Sequence, residues 1–150
     1  NTGGGGGGGA TADGSRGGAG GSGVVMVKYT TSAQLSLTTG QNLTLQSVAS
    51  TAGSAPSTGD LVTLIENAEG TATINTDIKG YVSRDGGSNW TQGTLVDEGS
   101  WGTNKKILAF HNLDISSQPS GTSLKYKITT HNQSAGSKET SIHATSLAWA

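Results

Sequence analysis

Ten Asp and Glu residues are the first place to look for chemistry, because two carboxylates flanking one sugar bond would make a hydrolytic site. Most of the ten fall in turns or alternate with apolar residues along strands, as solvated charges do. Asp97 and Glu98, beside Trp101, form the best-placed pair. Neighbours on a strand point to opposite faces, so one strand cannot aim both at one substrate. The three histidines, His111, His131 and His143, come next. A hairpin turning near Gly136 would set His131 and His143 across from each other, within reach of a shared metal. A trimer could also gather three copies of one histidine on its axis. The plainer expectation is that all three are strand-surface residues. No nucleophile-elbow motif frames a serine, and the glycine block lacks the Gly-Lys-Ser/Thr ending of a phosphate loop. Without cysteine, disulfides, thiolate zinc sites and cysteine nucleophiles are excluded. The expectation is a non-enzyme with no catalytic residue, no bound metal and no cofactor.

Recognition is a better prospect than catalysis. Neutral polar surfaces bind sugars by stacking them on aromatic rings, and the aromatics here are few. Trp101, in "DEGSWGTNKK", is surrounded by turn formers, so its ring is expected to be exposed. With Asp97 and Asn104 as polar neighbours it forms the candidate ligand-binding set. Trp90, Tyr126 and Trp149 are expected to serve the core. A net charge of −1 with scattered Lys and Arg gives no groove for nucleic acid. No apolar run reaches the roughly 18 residues of a membrane span, so neither nucleic acid nor membrane insertion is expected.

The segment "SRDGGSNW", residues 83–90, has the spacing of a built turn. Asp85 can accept hydrogen bonds from the turn backbone, and Gly86 and Gly87 tolerate positive φ. Ser83 ends a strand, and Trp90 packs back over the hairpin. This S-x-D-x-G-x-x-W pattern resembles the Asp-box of sialidase and related glycosidase propellers. There the box repeats once per blade, on the rim away from the active site. Here it occurs once, and 150 residues supply at most about three blades of four strands, below the usual range of about four to eight. The expected role of Ser83, Asp85, Gly87 and Trp90 is therefore a structural turn.

The elements that would hold these residues are strands. Apolar residues make up 31% of the chain, charged residues 13%, and glycine numbers 25, a profile of a β-rich, uncharged-polar surface protein. In "TATINTDIKGYVS" the residues Ala72, Ile74, Ile78 and Val82 share one face. In "TSLKYKITTH" Leu124, Tyr126 and Ile128 point inward, Lys125, Lys127 and Thr129 outward. Nowhere do apolar residues hold helical spacing for more than two turns. About eight strands at intervals of about 8–15 residues, separated by polar turns, predict an all-β, antiparallel, jelly-roll-like β-sandwich. Residues 61–150 are assigned to it. Residues 24–60, opening on "VVMVKYT", are assigned to a β docking or linker region, and residues 1–23 to a glycine-rich segment. Polyglycine has no side chains for a core. It is either a tethered arm or a set of extended glycine helices held by neighbouring backbone.

Two stretches resemble a known family. "GGAGGSGVVMVKY", residues 17–29, is similar to the module of bacteriophage tail-fibre and other virion proteins in which "GGSG" precedes a Val/Ile-rich strand. Residues 81–150 resemble the C-terminal β-sandwich domains of phage structural proteins, notably from marine phages. The resemblance implies a virion or extracellular location and a non-enzymatic fibre or adhesin subunit. Its implied partners are two copies of itself in a trimer, other virion proteins, and a host-surface glycan. The rival expectation is a secreted carbohydrate-binding module on a glycine-rich linker, and the remotest is a small glycan hydrolase.

Overall fold

A computed structural model of the chain describes residues 41–150. The glycine-rich segment 1–23 and the run 24–30 lie outside the described residues. Nine strands and no helix make up the described part: β1 (Thr44–Gln46), β2 (Ser50–Thr51), β3 (Thr58–Glu69), β4 (Ile78–Ser83), β5 (Thr91–Gly93), β6 (Val96–Gly102), β7 (Lys105–Asp114), β8 (Ser123–Thr130) and β9 (Glu139–Trp149). They form two sheets. One runs β1-β8-β4-β5, with β2 also on β8, and the other runs β6-β7-β3-β9. Every pair of named strands is antiparallel.

Alternation sets which face each strand buries. In β3, Leu61, Thr63, Ile65 and Asn67 are buried, while Val62, Leu64 and Glu66 between them are partly exposed. In β8 Leu124 and Ile128 are buried, with Tyr126 packed against them, and the lysines between face out. The inner faces meet in one apolar cluster of Leu61, Ile65, Ile78, Val82, Leu108, Phe110, Ile115, Leu124 and Ile128, with Leu95 and Ala52 at its margin. Burying each such side chain is worth about 1.5–3 kcal/mol.

Two glycines make room for the largest of these side chains. Gly80 and Gly93 face each other across β4 and β5. A Cβ on Gly93 would run into the Phe110 ring, and one on Gly80 would stand 2.7 Å from Leu61 and 3.0 Å from Phe110. The backbone of one sheet is thus the floor on which a ring from the other rests.

Several expectations change at this level. The sheets take in residues upstream of position 61: β1 and β2 both pair with β8, and Ala52 belongs to the core. The face drawn through Ala72, Ile74 and Ile78 is interrupted, because residues 73–77 form a turn. Asp77 accepts the Thr73 amide there, and Asn75 sits at φ 65°. Trp149, expected inside, is 37% exposed at the end of β9. Trp90 lies outside the core cluster, under a lysine. Nor do β8 and β9 form a hairpin. The chain crosses between sheets after β8, leaving only an isolated bridge between Ser134 and Lys138.

Candidate functional site

The "SRDGGSNW" turn joins β4 to β5. Ser83 Oγ donates to Asp85 Oδ1 at 2.8 Å and accepts the Gly87 amide at 2.9 Å. The Asp85 carboxylate also accepts the Asn89 amide at 2.9 Å and the Asn89 side chain at 2.6 Å. Burial works to raise its pKa, but these hydrogen bonds to Asn89 and Ser83 outweigh it and hold the carboxyl below its ordinary value. Gly86 and Gly87 adopt φ of 76° and 94°, a region that L side chains rarely enter. Both carboxylate oxygens of Asp85 are thus occupied within the turn. Trp90 lies beneath Lys127 Nζ, 4.5 Å from its ring centroid.

Arg84, the second residue of that segment, escaped the sequence reading. Its side chain turns inward and is 8% exposed. Nη1 donates to the Pro56 carbonyl at 2.8 Å, Nε to Pro119 at 3.2 Å, and Nη2 to Ser116 at 2.7 Å and to Gln118. A buried guanidinium needs its fork of donors satisfied, and here carbonyls of two loop segments, one before β3 and one between β7 and β8, do so. No local signal marks it, because its acceptors lie about 30 residues away on either side and are all main chain.

Asp97 and Asn104 meet at one site. The β6–β7 hairpin and the turn after β3 enclose an open cleft of about 430 Å³, lined by Asn67, Thr71, Asp97, Ser100, Asn104, Lys105 and Lys106, with Gly99. Asn104 holds the hairpin turn at φ 57°, and its carbonyl accepts the Asn67 amide at 2.8 Å. That bond ties the hairpin tip to the end of β3. Lys106 Nζ donates to Asp97. This bond, then that from the Gly99 amide at 3.0 Å, holds the Asp97 carboxyl below its ordinary value. Ser100 Oγ lies within hydrogen-bond reach of the Gly102 and Lys105 carbonyls, which share its one proton. Glu98 is on the other side of the strand, in a separate hollow with Val96 and His111. The adjacent pair is therefore divided between two sites. Asn67, Thr71 and Lys106 were not legible as cleft residues, since a β-turn some 30 positions upstream brings the first two.

Trp101, the third member of the expected set, does not line that cleft. Its indole N–H donates to the Ile65 carbonyl at 3.3 Å, and His143 meets its ring edge-on at 5.1 Å. Lys105 Nζ stands 4.7 Å over the ring and 3.7 Å from Glu66, which also bonds His143 Nε2 at 2.8 Å. Trp101 is 38% exposed, with one face under Lys105.

The histidines stay apart. His131 bonds the Thr129 hydroxyl at 2.9 Å on the five-stranded sheet, while His143 sits on β9 of the other. His111 lies 4.0 Å from Asp60. The hairpin that would have paired His131 with His143 is absent because β9 pairs with β3. Among the described residues no three His, Asp or Glu side chains gather as a metal would need. No family model, no curated protein and no solved structure matches the chain.

Proposed function

We propose that the chain is a non-enzymatic attachment subunit of a virion fibre or similar extracellular adhesin, with a jelly-roll-like sandwich that takes a host-surface glycan in the Asp97–Asn104 cleft. The observation that carries this reading is the division of Asp97 from Glu98. A sugar in the cleft meets one carboxylate, already engaged by Lys106, together with the amides of Asn67 and Asn104 and the hydroxyl of Thr71. That set offers donors and acceptors for sugar hydroxyls and no second carboxylate for general acid–base work.

A glycan array probed with the full chain tests it. Binding that falls about tenfold or more in Asp97→Ala and Asn104→Gly supports the cleft, a loss of about 1.4 kcal/mol. Glycine keeps the positive φ at position 104 while removing the amide. Unchanged binding in both variants sinks the assignment. Hydrolysis of any arrayed glycan that disappears in Asp97→Asn would overturn the non-enzymatic reading. A monomer with millimolar sugar affinity would favour the rival, a secreted carbohydrate-binding module.

A further inference from the structure

The described residues contain seven Lys and Arg side chains, and four are engaged. Lys105 faces Glu66, Lys106 faces Asp97, Lys138 lies 2.8 Å from Asp77, and Arg84 is buried among carbonyls. The other three, Lys79, Lys125 and Lys127, have no carboxylate partner among the described residues. All three leave the same outer face of the five-stranded sheet. The register pairs Lys79 with Thr129, Tyr81 with Lys127, and Ser83 with Lys125, while Ile78, Val82, Leu124 and Ile128 between them point to the core.

Two residues along a strand separate Lys125 from Lys127 by about 6.5 Å, and Lys79 lies on the diagonal from Lys127, about 7–8 Å away. Lys127 is fixed in place, its Nζ 4.6 Å over Tyr81 and 4.5 Å over Trp90. Gln46 stands opposite Lys127 on β1 and Gln92 opposite Tyr81 on β5, adding neutral amide groups. The nearby Asp85 carboxylate is consumed by Ser83 and Asn89. Like charges this close disfavour one another, and an anion laid across the face would relieve them.

We infer that this face, made of Lys79, Lys125 and Lys127 around Tyr81 and Trp90, binds an acidic polysaccharide through its carboxylate or sulfate groups. The site is separate from the cleft and stands whether or not the cleft binds sugar. Nucleic acid fits less well. Lys127 occupies a stacking surface of both rings that a base would need, no arginine among the described residues lies on the face, and the chain's net charge is −1.

Titration of the full chain with polygalacturonate, dextran sulfate, uncharged dextran and single-stranded poly(dT) decides. One or both acidic polysaccharides should bind and weaken as salt rises, and which one binds separates carboxylate from sulfate recognition. The combined variant Lys79→Gln, Lys125→Gln, Lys127→Gln should lose about tenfold in affinity. Lys79→Gln with Lys125→Gln leaves the ring-stacked Lys127 intact and should lose about threefold, so the inference stays testable if the triple variant fails to fold. The inference is overturned if neither acidic polysaccharide binds, if dextran binds equally well, if poly(dT) binds more tightly, or if a folded lysine variant keeps full affinity.

Discussion

A buried carboxylate with three donors around it works as a pH-dependent fastener, and Asp77 is one. It is 1% exposed and accepts the Asn132 side chain at 2.7 Å, Lys138 at 2.8 Å and the Thr73 amide at 2.8 Å. Led by the Asn132 bond, these interactions hold its carboxyl far below the usual carboxylate range. A depressed folded pKa contributes stability that is present above the unfolded value of about 3.9 and is lost as pH falls toward the folded one. Stability measured by urea unfolding should therefore decline below about pH 4, and Asp77→Asn should flatten that decline. At neutral pH the same variant should cost about 1–3 kcal/mol, the range for disrupting buried hydrogen-bonding groups. An unchanged acid limb in Asp77→Asn would show that other carboxylates govern it. The Asp85 turn was legible because its donors and acceptors lie within seven residues of sequence. Asp77 and Arg84 were not, since the side chains of Asn132 and Lys138 that bind Asp77, and the carbonyls that bind Arg84, come from tens of positions away.

At the scale of elements, the β4–β5 hairpin and the β7 strand are coupled through Phe110 resting on Gly80 and Gly93. Neither glycine has a positive φ, so their role is close approach and not backbone freedom. Gly93→Ala should destabilise by about 1–3 kcal/mol, the usual cost of overpacking, read as a lower urea midpoint with unchanged slope. Combining it with Phe110→Leu should recover part of the loss, because the smaller side chain vacates the space the new methyl needs. Additive losses would place the strain elsewhere. The alternation in β3 and β8 could be read directly from period-two patterning. The bend at residues 73–77 could not, because Ile74 and Ile78 keep strand-like spacing while Asn75 turns the backbone between them.

For the whole molecule, the outer face of the four-stranded sheet is more apolar than a solvated face requires. Val62 and Leu64 on β3 and Ile107 on β7 are partly exposed, and Val96 on β6, 53% exposed, stands opposite the buried Ala109 and extends the stripe. Contiguous apolar surface of this kind marks interfaces, and closed symmetric assembly would cover it. Light scattering of the full chain, 15.0 kDa per subunit, should give three times that mass, and Val96→Asp should shift it toward one. A wild-type monomer at micromolar concentration would rule out the trimer that the family resemblance implies.

The residue pattern alone determined an all-β chain of two-faced antiparallel strands, placed the Asp85 turn between two of them, and excluded cysteine and membrane-helix chemistry. Those properties follow from local periodicity and short-range hydrogen bonding, which a sequence carries explicitly. Only the tertiary structure decided which strands share a sheet. That choice separated His131 from His143, sent Asp97 and Glu98 to different hollows, and left Trp101 outside the cleft that Asp97 shares with Asn104. It also gathered on one face three lysines with no carboxylate partner among the described residues. Strand pairing depends on the summed burial of both sheets and on loops that cross between them, so no window of neighbouring residues contains it.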